Sequence, residues 1–171
     1  PKLDLGDLKS VENLMKHNVP KLLQEIDEGF DIISLVPSCV LMFKQELPLL
    51  FDENDDLKKI KQHIFDPFEY LSDRESKGLM NKSFKNSLGK IAYQVACHQR
   101  VQNIGPKTKE LLEMVPDTEV QAIERCSGHD GTYAVREETH KNSVKIARPV
   151  TRKVDEACLL YTSPSPRDSM T

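Results

Sequence analysis

The sequence predicts an α/β fold, a mostly parallel sheet flanked by helices. Three observations predict it. Three short apolar runs read as buried strands, at 30–36, 90–96 and 118–124. Amphipathic stretches with helical spacing lie between and after them. Each junction carries helix punctuation: Asp, Pro or Gly at a start or a stop. At 171 residues the chain is long enough for one ordinary domain and too short for two comfortable ones.

Asp7 is placed to cap a helix over Leu8, Val11, Leu14 and Met15. Pro20 starts or kinks a second stretch, with Leu22, Leu23 and Ile26 on one face and Gly29 as its stop. Phe30 to Val36 is the first strand, broken by Pro37-Ser38. Val40 to Leu50 reads as a short helix disturbed near its end by Pro48. The acidic run Asp52–Asp56 favours the start of a helix over Leu57–Ile64. Its spacing is not that of a calcium-binding loop. Asp66-Pro67 opens a further helix to about Lys77, and Gly78 to Gly89 is polar and loop-like. Lys90 to Ala96 is the second strand, Pro106 to Met114 a helix, and Thr118 to Glu124 the third strand. Gly128 and Gly131 make a flexible turn. A long amphipathic helix follows over about Val135–Ala157, with Pro149 as a kink.

After Ala157 the periodicity stops. Residues 158–171 are rich in Ser and Pro and resemble translated sequencing-adapter sequence, so they read as a non-native, disordered tail outside the fold. Residues 1–157 then form the α/β cysteine-rich domain. The chain opens at Pro1 rather than Met, which reads as a truncated start, so a targeting signal could lie outside it.

Charge and hydropathy exclude several functions. Twenty-four basic and 27 acidic side chains leave a net charge of −3, which argues against a nucleic-acid face. No run approaches the roughly 20 apolar residues that a membrane span needs, and no secretory leader is visible, which points to the cytoplasm. The four cysteines, at 39, 97, 126 and 158, are far apart and contain no Cys-x-x-Cys, so a disulfide framework is a poor reading.

Cys39, Cys97 and Cys126 each fall where a predicted strand gives way to a loop or helix. In a parallel α/β sheet such points share one rim, where ligands bind. Helix N-termini on that rim favour thiolate over thiol. Three cysteines with 57 and 28 residues between them can therefore converge. The alternative is that they are small buried hydrophobes. His98 and His129 stand beside Cys97 and Cys126, and imidazole is also a metal ligand. Both also fit as polar residues that hydrogen-bond the loop. Asp130 is placed to orient His129 or to cap the next helix. Arg100 and Arg125 suit an anionic partner or ordinary solvation. The glycines form no dinucleotide fingerprint, and Gly-x-Ser-x-Gly is absent. A Cys97–His98 dyad has the poor geometry of adjacent residues.

Three runs carry a family resemblance: Val36-Pro-Ser-Cys-Val-Leu-Met-Phe-Lys44, Ala96-Cys-His-Gln-Arg-Val-Gln-Asn-Ile-Gly105, and Glu124-Arg-Cys-Ser-Gly-His-Asp-Gly-Thr-Tyr133, the last leading into Ile146-Ala-Arg-Pro149. In order and spacing they resemble the cysteine-rich (CCG) domain family, whose members include the iron–sulfur proteins of heterodisulfide reductase and of anaerobic glycerol-3-phosphate dehydrogenase. Members carry two Rossmann-like repeats whose cysteines hold iron–sulfur clusters. The resemblance implies that this chain holds the end of the first repeat and most of the second. Cys39 would close the first, Cys97 would open the second, and Cys126 would be its central cysteine. It implies an iron–sulfur cluster of the 4Fe-4S type in an electron-transfer subunit. The implied partner is a flavin-containing dehydrogenase or a rubrerythrin-like redox protein, with any membrane reached at its inner face only through that partner.

The pattern also departs from the family. Arg125 stands where the paired motif has its first Cys, Val36 where many members have the first Cys of Cys-x-x-Cys, and the last motif of the second repeat is missing. The cluster is therefore incomplete in this chain unless His129 or His98 replaces a thiolate. A different class stays open: a non-enzymatic module that binds zinc or mononuclear iron, or serves protein interaction.

Overall fold

The computed structural model describes residues 2, 3, 5–52, 54–129 and 133–157, and the backbone of 161–162. Cys158, Asp130 and Gly131 lie outside the described residues. The chain divides into two compact units, Pro1–Tyr70 and Leu71–Thr171. Both are α/β with parallel strand pairs.

In the first unit, helix α1 (Leu8–Asp27) begins at Asp7, whose carboxylate accepts a 3.1 Å bond from the Ser10 N–H. It ends in a Schellman motif. The Phe30 N–H reaches the Glu25 carbonyl and the Gly29 N–H that of Ile26, with Gly29 at φ +95°. The sequence predicts two stretches here, split at Pro20, and the structure has one. Proline removes a single N–H, and the buried face of Val11, Met15, Val19 and Ile26 carries the helix through.

The strand predicted over 30–36 shrinks to β1 (Ile32–Ile33), paired parallel with β2 (Ile64–Phe65). Two apolar residues directly after a helix are indistinguishable by period from its last turn, so β2 has no separate signal in the sequence. Between them run α2 (Pro37–Leu41), a π-helical turn (Met42–Glu46), α3 (Leu47–Leu50) and α4 (Asp55–His63). The π turn precedes Pro48, which has no N–H to continue the four-residue ladder, and the Leu47 N–H donates five residues back to Met42. Asn54 caps α4 by accepting from the Leu57 N–H at 3.0 Å. Leu47, Leu57, Ile60 and Ile64 close the core against α1.

Helix α5 (Pro67–Ser76) starts at buried Asp66, which accepts from the Phe68 N–H at 2.9 Å. In the second unit β3 (Gly89–Gln94) leads through α6 (Cys97–Val101) and α7 (Gly105–Glu113) to β4 (Thr118–Ile123). The strands run parallel, Gly89 opposite Thr118 through Gln94 opposite Ile123. Helix α8 (Glu137–Glu156) follows, with Pro149 inside it. A short β5 (Tyr161–Thr162), within the segment that the sequence sets apart as a tail, pairs parallel with β3.

Period-2 alternation sorts the sheet's two faces. Ile91, Tyr93 and Val95 join Val120 and Leu112 of α7 on one face. Ala92 and Ile123 meet Val150 and Val154 of α8 on the other. Helices therefore cover both faces, and the rim at Gln94 and Ile123 is left to the loops. Among the described residues no helix is long and apolar enough to cross a membrane.

Candidate functional site

Gln94 and Ile123 are register partners at the carboxyl ends of adjacent parallel strands. Cys97 lies three residues beyond the first and Cys126 three residues beyond the second. Equal offsets from paired residues bring the two loops out side by side. The ladder extends one step further, because the Val95 N–H donates to the Ile123 carbonyl at 3.1 Å.

Three polar ties then fix the loops. The Gln94 amide donates to the carbonyls of Val95 and Arg125, each at 2.9 Å, clamping the residue before Cys126 to the end of β3. Buried Tyr93 donates its hydroxyl to Gln99 Oε1 at 2.8 Å, which seats the turn of α6 that begins with Cys97. Ser143 of α8 donates to the Gly128 carbonyl at 2.6 Å, and both residues are buried. Gly128, at φ +75°, in turn offers its N–H to the Cys126 sulfur at 3.4 Å.

The sequence marks Gly128 only as a turn and gives no sign of Gln94, Gln99 or Ser143. A glutamine at the end of an apolar strand is the one signal that points to such a clamp, since a half-buried amide needs carbonyl partners.

The two thiols lie within hydrogen-bonding reach of each other, Cys97 half-buried and Cys126 exposed. Burial pushes the Cys97 thiol above its ordinary pKa. The Cys126 sulfur adds to this through charge repulsion and a hydrogen bond, and Arg100 opposes it. This corrects the expectation that a helix start favours thiolate here, because desolvation outweighs it. Iodoacetamide should accordingly alkylate Cys97 with a pH midpoint above the ordinary thiol value of about 8.5. Removing one cause, in Cys126→Ser, should bring that midpoint down. Peptide mass spectrometry after timed quenching reads both, and a Cys97 midpoint at or below the ordinary value contradicts this environment.

Cys39 belongs to the first unit, exposed in the first turn of α2 just after β1. His98 is half-buried in α6, where its carbonyl accepts from the Gln102 amide, and His129 is exposed just beyond Gly128. Among the described residues no three Cys, His, Asp or Glu side chains gather closely enough to hold a metal ion. Iron in a cluster ordinarily takes four protein ligands, and the pair at 97 and 126 supplies two sulfurs. A complete cluster site is therefore not assembled from the described residues.

No family model matches the sequence, and no solved structure matches it. Over 131 residues the chain is 26% identical to a protein of the anaerobic glycerol-3-phosphate dehydrogenase complex, its C-type subunit, from Escherichia coli K12, and equally to that from Escherichia coli O157:H7. The match covers 76% of this chain and 32% of each relative. The chain thus spans about a third of the length of the curated relatives it matches.

Proposed function

We propose that this chain is part of a redox subunit of a dehydrogenase complex, in which Cys97 and Cys126 donate two sulfurs to an iron–sulfur cluster. The observation that carries this reading is the meeting of two cysteines, 29 positions apart, at the same rim of a parallel strand pair. The distant similarity to a dehydrogenase subunit supports it. The cluster would store and release single electrons.

What this chain contributes is the holding of the two sulfurs. The clamp at Gln94 and the Ser143–Gly128 bond fix their separation. The Gly128 N–H bonds the Cys126 sulfur, the kind of contact that tunes a thiolate ligand. Arg100 favours negative charge at Cys97. The remaining ligands come from Cys39, His129, His98 or protein beyond this chain. The electron donor would be a flavin-containing dehydrogenase of the cytoplasm or its membrane face.

The test is the intact protein purified without oxygen, assayed for iron, acid-labile sulfide and visible absorption. Bound iron and sulfide are expected in the wild type, with most of both lost in Cys97→Ser and in Cys126→Ser. A colourless protein holding zinc overturns the cluster. Unchanged iron in both variants removes the pair from its ligands.

A further inference from the structure

We infer that Cys97 and Cys126, when no metal holds them, form a reversible dithiol–disulfide couple in which Cys126 meets an external disulfide and Cys97 resolves the adduct. The described residues place these two sulfurs together and bring them no third metal donor. Two thiols alone are too few for a cluster, but they are the full requirement of a disulfide.

The loops that carry them are anchored rather than free. Register, the Gln94 clamp and the Ser143–Gly128 bond all act to keep the sulfurs facing one another. Exposure sets the order of events. Cys126 is open to solvent, so a low-molecular-weight disulfide can reach it, while Cys97 is half-buried directly behind. Cys39 is exposed in the other unit and serves as the internal control.

The chemistry is two successive thiol–disulfide exchanges. The Cys126 thiolate attacks one sulfur of the external disulfide RS–SR. A Cys126–SR bond forms, the RS–SR bond breaks, and the departing RS⁻ takes up the proton that Cys126 released. Cys97 then loses its proton and attacks the Cys126 sulfur. The Cys97–Cys126 bond forms, the Cys126–SR bond breaks, and a second RSH leaves. Two protein thiols are oxidised and one external disulfide is reduced to two thiols, so two electrons and two protons pass together. A closed disulfide withdraws both sulfurs from any metal, so the couple and the cluster exclude each other in one molecule.

The experiment uses the full chain, stripped of metal by a chelator, reduced, and equilibrated in a series of glutathione to glutathione-disulfide ratios. Samples are quenched in acid, alkylated and mapped by mass spectrometry. A linked peptide pair joining 97 to 126, two hydrogens lighter and recovered as free thiols by dithiothreitol, is expected. Cys97→Ser should hold a persistent glutathione adduct at Cys126, because nothing resolves it. Cys126→Ser should take up glutathione at Cys97 at least tenfold more slowly than Cys39 does. Adducts at 97 and 126 with no link between them, or a link from either to another cysteine, overturn the couple. Those results leave the cluster reading standing wherever the anaerobic protein still binds iron and sulfide. A clean 97–126 couple in a protein that never binds iron sinks the cluster and keeps the couple.

Discussion

Gly128→Ala should destabilise the second unit by about 3–5 kcal/mol and slow cross-linking of Cys97 to Cys126 by tenfold or more. Its backbone sits at φ +75°, where an L side chain costs roughly 1–2 kcal/mol. The new Cβ would then lie 2.2 Å from the Ser143 carbonyl oxygen and 3.0 Å from its carbon. Both atoms belong to the backbone of α8, which is held to the sheet through Val150 and Val154, so neither can swing away. The loop must therefore lift, which breaks the Ser143–Gly128 hydrogen bond, itself worth about 1 kcal/mol. The Gly128 N–H and the Cys126 sulfur move with it. Ser143→Ala is the control. It removes one bond without a clash and should cost only about 1–2 kcal/mol. Urea unfolding gives the stabilities, and timed oxidation with mapped peptides gives the cross-linking rates. A Gly128→Ala protein within about 1 kcal/mol of wild type would mean that α8 does not pin this loop.

That latch shows where the sequence stops being readable. Asp7, Gly29, Asp66 and the strands at 90–96 and 118–124 are legible because their signals are local: a cap, a left-handed stop, an alternating apolar run. The meeting of Cys97 with Cys126 is also foreshadowed, since strand ends in a parallel sheet share a rim. What stays hidden depends on register and on helix docking. Nothing local says that Gln94 pairs with Ile123, that Gln94 reaches Arg125, or that Ser143 closes on a carbonyl 15 residues earlier. Pro20 misleads for a related reason. Proline has a fixed local effect, but whether the helix continues is decided by the apolar face it buries elsewhere. The widened turn before Pro48 belongs with these, because a five-residue hydrogen bond has no sequence signature of its own.

Gln94→Glu tests the clamp by reversing one atom's role. The wild-type amide nitrogen donates to two carbonyls. A carboxylate in its place accepts, so both bonds vanish and two carbonyl oxygens face a negative charge. The loss should be about 2–4 kcal/mol at neutral pH, from two bonds at roughly 1 kcal/mol each and the repulsion added to them. Its pH dependence has a definite sign. Repulsion raises the pKa of the introduced carboxyl in the folded state above its unfolded value of about 4.3. A group whose folded pKa is raised contributes stability that is fully present below the unfolded pKa and disappears as pH climbs through the folded one. The gap to wild type should therefore narrow towards pH 4, where a protonated carboxyl can donate to one of the two carbonyls, and widen to its full size by pH 8. Gln94→Met loses the same bonds and adds no charge, so its deficit should be smaller and flat across that range. Urea unfolding at several pH values separates the two. A Glu variant whose deficit is as flat as that of the Met variant would place the side chain at 94 in solvent, and the two cysteine loops would then be held together by register alone.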